Sequence, residues 1–133
     1  MKKILITLFS VLTLLLAGCA GANNAEESSN TEQKQAQEVT ITLVKDSGEE
    51  VISEKNIEIE EGETLMEVMA RNFELTTAYE DAFIVGIDGI ESDDENSYYW
   101  TYTINGEEVF EGPRDVKLKA DDKVEFNYSK YEG

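Results

Sequence analysis

The sequence predicts an α+β domain, mostly β, with six or seven short, antiparallel-rich strands and one helix packed on the sheet. Several short segments alternate between apolar and polar residues with a period of two, and turn-forming Asn, Asp and Gly residues separate them. Only one segment, beginning at Thr64, places apolar residues at helical spacing. We expect this domain to occupy residues 39–133, after residues 1–18 and 19–38, which have a different composition.

The first part of the domain is predicted to contain two strands and the helix. Val39–Leu43 alternates as a half-buried strand does, and Ile57 and Ile59 mark the second strand. Thr64 and Glu67 have the spacing of a capping box, in which each side chain bonds the backbone of the other residue. The helix should end near Phe73 and present an apolar stripe to the sheet, formed by Leu65, Val68, Met69 and Phe73.

The second part is predicted to be all β. Ala82–Ile87 forms a strand that ends at a turn, and Lys123–Tyr128 forms the last strand, with alternating side chains. Between them, Tyr98–Ile104 and Glu107–Phe110 flank Asn105-Gly106, which is the strongest short-range hairpin signal. The sequence therefore predicts a hairpin here.

The predicted hairpin has two different faces. A two-residue loop pairs Ile104 with Glu107, and the alternation of side chains then fixes every other position. The more apolar face, which we expect to join the core, carries Tyr98, Trp100, Tyr102, Ile104 and Val109. The other face carries Tyr99, Thr101, Thr103 and Phe110.

The second face of this hairpin is a candidate ligand-binding surface. Tyr99 and Phe110 are large aromatic residues among polar neighbours, and Pro113 follows closely. Exposed aromatic patches on small domains often mark binding sites. We predict a platform of Tyr99, Phe110 and Pro113, supported from behind by Trp100 and Tyr102. The alternative is a second small core that lies under the termini.

The N-terminus has the pattern of a bacterial lipoprotein signal. Lys2 and Lys3 precede an apolar run from Ile4 to Leu16, which is shorter than the roughly 20 residues that span a bilayer. The sequence Leu16-Ala17-Gly18-Cys19 resembles a bacterial lipobox, in which the signal is cut before the Cys and the thiol receives a diacylglycerol. The resemblance implies a lipid anchor on Cys19 at the outer face of the bacterial cell membrane.

Residues 19–38 are rich in Ser, Asn, Gln, Glu and Ala and are expected to form a flexible tether. Without residues 1–18, nine basic residues remain against 29 acidic ones, a net charge of −20. A surface of this charge repels nucleic acid, so we do not expect a nucleic-acid partner.

Four segments resemble one known domain. In order they are "GETLMEVM", "IVGIDGI", "WTYTING" and "LKADDKVEFNY". They are similar to the small β-rich domain at the C-terminus of transcobalamin and intrinsic factor, which also occurs in bacterial lipoproteins. In the vertebrate carriers this domain closes over one face of cobalamin, while a helical domain holds the other face. The resemblance implies cobalamin or a similar flat corrinoid as a ligand, although this chain has no His to offer to cobalt.

Five acidic residues follow the strand at residues 82–87, and they could bind a hard cation such as calcium. Clustered carboxylates and carbonyls supply the oxygen ligands that calcium requires. Their spacing differs from that of an EF-hand, so a solvated acidic loop is the alternative. The five residues are Asp88, Glu91, Asp93, Asp94 and Glu95.

These patterns favour a binding module over an enzyme. The chain has no His, no Gly-rich phosphate loop and no G-x-S-x-G motif, so catalysis is not expected. Our first hypothesis is an anchored module that holds a small molecule and presents it to a transporter or a larger receptor. The alternatives are a protein–protein adaptor at the cell surface and a calcium-stabilised domain without a small-molecule ligand.

Overall fold

The computed structural model describes residues 36–133, and the fold is mostly β, as predicted. The signal peptide, Cys19 and nearly all of the tether lie outside these residues. The described part contains eight strands and one helix: β1 (Gln37–Lys45), β2 (Glu50–Ile59), α1 (Leu65–Asn72), β3 (Leu75–Ala78), β4 (Phe83–Ile87), β5 (Ile90–Glu91), β6 (Tyr98–Ile104), β7 (Glu107–Glu108) and β8 (Lys123–Lys130). None of the residues described here belongs to a helix with the length and apolarity to span a membrane.

The strands form two sheets. The larger sheet has the order β2-β1-β8-β6-β7, and the smaller has the order β3-β4-β5. All neighbouring strands are antiparallel except β1 and β8, which run parallel from the pair Thr40–Lys123 to the pair Lys45–Tyr128. The parallel pair joins the two ends of the domain in the middle of the larger sheet.

Helix α1 begins at the predicted capping box. The Thr64 amide donates to the Glu67 carboxylate at 2.9 Å, and the Glu67 amide donates to the Thr64 hydroxyl at 3.3 Å. These bonds satisfy two of the amides that a helix N-terminus leaves unpaired. The Thr64 amide, and then the Thr64 hydroxyl, donate to the Glu67 carboxylate and hold its pKa below its usual value. The helix ends at Asn72 with Phe73 as its C-cap, close to the predicted end.

The apolar stripe of α1 packs in the core of the domain. Leu65, Val68 and Met69 are fully buried, together with apolar residues of β1 and β8. The buried core residues of the described domain lie between Val39 and Phe126. Four of the five residues of the predicted core face, Trp100, Tyr102, Ile104 and Val109, pack against this core as partly buried side chains, whereas Tyr98 is half-buried outside it.

Two aromatic side chains connect the sheets. The Trp100 indole Nε1 donates to the Ile90 carbonyl at 2.8 Å, and the Tyr128 hydroxyl donates to the Glu91 carbonyl at 2.8 Å. The two acceptors are the residues of β5, and the two donors face each other on β6 and β8. The smaller sheet is thus held to the larger one by neutral hydrogen bonds.

The structure differs from the sequence-based description at three places. Strand β1 begins at Gln37, two residues before the predicted start of the domain at Val39. Strand β2 begins at Glu50, because its polar first half pairs with β1 as an exposed edge strand. Strands β3 and β5 were not predicted, and their addition brings the described total to eight instead of six or seven.

Candidate functional site: an open aromatic groove

An open groove of about 650 Å³ lies between the smaller sheet and the beginning of β6. Its volume falls within the range of roughly 300–1,000 Å³ that is usual for small-molecule sites. Among the residues that line it, four aromatic side chains and two carboxylates could contact a ligand directly: Tyr79, Phe83, Tyr99, Trp100, Glu91 and Asp94.

Gly86 in β4 leaves space between two residues that line the groove, Thr76 and Glu91. Gly86 pairs with Thr76 on one side and with Glu91 on the other. A Cβ atom at this position would lie 2.9 Å from the Cβ of Thr76, so any larger residue would separate the neighbouring side chains. Because Gly86 leaves this space free, the Thr76 hydroxyl donates to the Glu91 carboxylate at 3.0 Å, across β4. Glu91 is therefore held in place at the groove.

One wall of the groove is an aromatic corner formed by Tyr79 and Phe83. Their ring centroids are 6.0 Å apart and the rings are perpendicular, at 88°. Both side chains are open to solvent, with 80% of Tyr79 and 46% of Phe83 exposed. Large aromatic residues with this exposure have contact surface available for a ligand.

The turn between β3 and β4, which carries this corner, has an unusual backbone. Three consecutive residues, Tyr79, Glu80 and Asp81, have positive φ angles of 56°, 55° and 62°. This conformation is unfavourable for residues other than glycine, so tertiary contacts must hold it. The Thr77 hydroxyl donates to the Asp81 carboxylate, and Arg114 Nη1 donates to the Glu80 carbonyl at 3.0 Å.

The opposite wall consists of Trp100 and Tyr99 at the start of β6. Trp100 is fixed by its bond to β5 and by its ring contact with Tyr128, at 5.2 Å between centroids. Partial burial, and then the neighbouring Asp94 carboxylate, raise the pKa of the Tyr99 phenol. The phenol therefore stays neutral at physiological pH.

The predicted platform is only partly assembled. Tyr99 lines the groove, whereas Phe110 does not and is 85% exposed. Trp100, which was expected behind the platform, lines the groove itself. Strand β7 ends at Glu108, and the Val109 amide still donates to the Tyr102 carbonyl at 3.3 Å, so Phe110 lies just beyond the paired part of the hairpin. The exposure of Phe110 also contradicts the alternative of a second small core at this position.

Pro113 is buried and serves another role than the predicted one. Its carbonyl accepts a hydrogen bond from the Met66 amide at 3.0 Å, so the loop is fixed to the first turn of α1. Its ring is therefore not available as a ligand surface. Tyr102 supports this loop from behind, since its hydroxyl donates to the Glu111 carbonyl.

Three of the five acidic residues predicted as cation ligands accept hydrogen bonds from separate partners. Asp88 accepts from the Glu74 amide at 2.9 Å, and Glu91 accepts from Thr76. Both carboxylate oxygens of Asp93 accept bonds from Asn96, which also hold the pKa of Asp93 below its usual value. Asp94 lies in the groove, and Glu95 is exposed. Across residues 36–133, no three acidic, Cys or His side chains are grouped as a metal site requires.

Sequence reasoning missed Tyr79 and the exposure of Phe83. Phe83 was assigned to a strand, but nothing in the local pattern indicated that its ring would meet Tyr79 across a turn. The only signal was the run Thr77-Ala78-Tyr79-Glu80-Asp81, in which Asp is a turn former.

Among the solved structures that share this fold, two have low sequence identity to this chain. A protein from Ruminococcus gnavus ATCC 29149, to which metal binding is provisionally attributed, is 19% identical, with a TM-score of 0.55 over 71% of this chain and 98% of that protein. Haptocorrin in complex with Cbi is 17% identical, with a TM-score of 0.60 over 75% of this chain. The match spans 26% of haptocorrin, so this chain corresponds to about a quarter of it.

The family of the chain follows from its sequence. No curated protein matches it significantly. The model of a domain of unknown function, DUF4430, matches residues 62–130, which is more than half of the chain and includes α1, both walls of the groove and the hairpin. The chain belongs to the DUF4430 family.

Proposed function

We propose that this protein is a lipid-anchored, non-catalytic binding module outside the bacterial cytoplasmic membrane, which holds a flat small molecule of the corrinoid class for uptake. The observation that carries this proposal is the open groove with two aromatic walls, Tyr79–Phe83 on one side and Tyr99–Trp100 on the other. Aromatic side chains bury large apolar areas at low entropic cost, which suits a rigid and flat ligand.

Three considerations support the class of ligand. The groove is open to solvent, so a planar molecule larger than the groove could lie across it. Haptocorrin shares the fold, and its structure was solved in complex with Cbi. A sequence identity of 17% supports a shared fold only, so the ligand class is part of the proposal. The segments that resemble the transcobalamin C-terminal domain include Trp100, which forms part of one wall, and Gly86, which lies between the groove residues Thr76 and Glu91.

The cellular location in this proposal rests on the sequence alone. Cys19 would carry the lipid, and residues 20–35 would connect it to the described domain. Each buried methylene of an acyl chain contributes about 0.8 kcal/mol to membrane binding, so several chains would anchor the protein durably. We expect the unmodified protein to incorporate a radioactive fatty acid and the Cys19→Ser variant not to incorporate it.

Calorimetry on residues 24–133 with cobinamide and with cobalamin tests the proposal. We expect one site for at least one of the two corrinoids. The Phe83→Ala variant should bind about tenfold more weakly, because truncation of an aromatic anchor commonly costs more than 1 kcal/mol. Each titration should be repeated with calcium, and a gain in affinity or melting temperature would support the calcium-stabilised alternative.

Phe110→Ala provides the matched control for Phe83→Ala. It removes the same side chain from a more exposed position that does not line the groove. We expect its affinity to stay within about twofold of the unmodified protein. Equal losses in both variants would place the ligand outside the groove, and the absence of heat with either corrinoid would refute corrinoid binding.

A protein–protein adaptor remains a second candidate because of Phe110. This ring is the most exposed large apolar side chain of the described domain and lies outside the groove. An adaptor should retain a stoichiometric partner when the anchored protein is purified from membranes, and Phe110→Ala should release it. A purified protein without any such partner would count against this function.

A further inference from the structure

The groove combines aromatic surfaces with negative charge. Four of the side chains that line it are aromatic, and two are the carboxylates Glu91 and Asp94. Among the described residues that line the groove, none is Lys or Arg. Arg114 approaches the same turn, but it donates to the Glu80 carbonyl and does not line the groove.

The arrangement of the rings suits a cation. The face of an aromatic ring is electron-rich, so a cation within about 6 Å of the ring centroid is attracted to it. Tyr79 and Phe83 meet at 88°, and their two ring planes form a corner that a roughly spherical cationic group could contact on two sides. Sites for quaternary ammonium groups are commonly built from several aromatic residues in this way.

The carboxylates are held where they would complement such a group. Glu91 accepts from the Thr76 hydroxyl at 3.0 Å across Gly86, and this neutral donor orients the carboxylate without cancelling its charge. Asp94 lies beside the Tyr99 phenol, which is also a neutral partner. Neither is paired with a cation in the described domain, where Arg71–Glu63 is the only ion pair within 4 Å.

We propose that the groove selects a ligand with a positively charged organic group, in the manner of a quaternary ammonium, which lies in the Tyr79–Phe83 corner opposite Glu91 and Asp94. This inference rests on the proposed function for the location of the ligand and adds the charge that the groove prefers. The net charge of the chain, −18, would raise the local concentration of cations and strengthen the preference at low ionic strength.

A pair of isosteric probes separates charge from shape. Choline and 3,3-dimethylbutan-1-ol have the same size and hydroxyl group, but choline carries a quaternary nitrogen where the alcohol carries a carbon atom. Trp100 is the only Trp of the chain and lines the groove, so its fluorescence reports binding without a label. We expect choline to bind residues 24–133 about tenfold more tightly than the neutral alcohol.

Variants that remove a carboxylate charge identify the residues that cause the preference for choline. Glu91→Gln together with Asp94→Asn preserves size and hydrogen bonding, and we expect the preference for choline to fall to about twofold or less while binding of the alcohol stays unchanged. Glu107→Gln removes one negative charge from an exposed position of β7 outside the groove and should leave the preference intact. An increase in ionic strength from about 0.01 to 0.15 M should weaken choline binding alone.

The outcomes distinguish this inference from the proposed function. Equal affinities for the two probes would overturn the cation preference and leave the groove as a neutral small-molecule site. A preference that persists in the double variant would also overturn it, because the groove carboxylates would not be its source. No response of Trp100 to either probe would refute the cation site, while corrinoid calorimetry would still decide the proposed function independently.

Discussion

The Tyr128→Phe substitution tests how the groove is held in place. Tyr128 donates from its hydroxyl to the Glu91 carbonyl at 2.8 Å, and this is one of the two side-chain bonds between β5 and the larger sheet. Phenylalanine removes only the hydroxyl. The ring contacts of residue 128 with Trp100, at 5.2 Å, and with Tyr98, at 5.3 Å, should remain.

The expected loss of stability is about 1 kcal/mol. A neutral hydrogen bond contributes about 0.5–1.5 kcal/mol net, and a buried acceptor left without a donor would cost more. Glu91 is exposed, so water can replace the lost donor and the larger penalty should not apply. For a domain of the 98 residues from 36 to 133, a loss of this size lowers the melting temperature by about 4–8 °C.

Urea unfolding followed by Trp100 fluorescence measures this loss directly. Tyr131→Phe is the matched control, since it removes the same hydroxyl from a side chain that is 68% exposed, and we expect a change below about 0.5 kcal/mol. The Tyr128→Phe variant should also bind groove ligands more weakly, because β5 carries Glu91.

Two results would refute this reasoning. A loss no larger than that of Tyr131→Phe would mean that the bond to Glu91 does not contribute to the connection between the sheets. A loss above about 3 kcal/mol would mean that the ring packing changes as well, since one solvent-accessible hydrogen bond cannot account for it.

Two further predictions concern the pH dependence and the loop beside the groove. Burial, followed by the charges of Glu111 and Asp115, raises the pKa of Tyr102 from 10.0 to about 12. The neutral phenol therefore stabilises the fold fully below pH 10, and this contribution is lost as pH rises to about 12. The Tyr102→Phe variant should show a smaller fall of melting temperature between these pH values. An unchanged slope would exclude Tyr102 as the source of the pH dependence. Gly112→Ala would place a Cβ atom 2.5 Å from the Ala82 carbonyl oxygen, so we expect a loss of about 1–3 kcal/mol in urea unfolding, whereas an unchanged midpoint would show that the loop moves without cost.

Local signals in the sequence predicted the elements that depend on local chemistry. The capping box places Thr64 and Glu67 in reciprocal contact whatever the rest of the chain does, and α1 begins there. Asn105 and Gly106 adopt the positive φ angles of a two-residue hairpin loop, 53° and 82°, and the predicted pairing of Ile104 with Glu107 is confirmed.

The aromatic corner could not be predicted in the same way. Strand β3 has only four residues and follows α1 directly, so it lacks the length that makes alternation recognisable. The turn after it contains three residues with positive φ and no glycine, because contacts from Thr77 and Arg114 impose that conformation. The meeting of Tyr79 and Phe83 is thus a result of tertiary structure.

The openness of the groove bears on how the domain could use a ligand. Small-molecule sites usually bury about 70–90% of a ligand, but a flat molecule that lies across the two walls of this open groove would have only one face covered. The other face would stay accessible to a second protein, and the exposed Phe110 lies outside the groove, where such a protein could contact it. A lipid anchor, as proposed, would keep the loaded domain close to membrane transporters. The effective concentration of the domain at the transporter would then be higher than that of a free protein. A one-sided site therefore suits a protein that presents its ligand to a partner better than one that stores it.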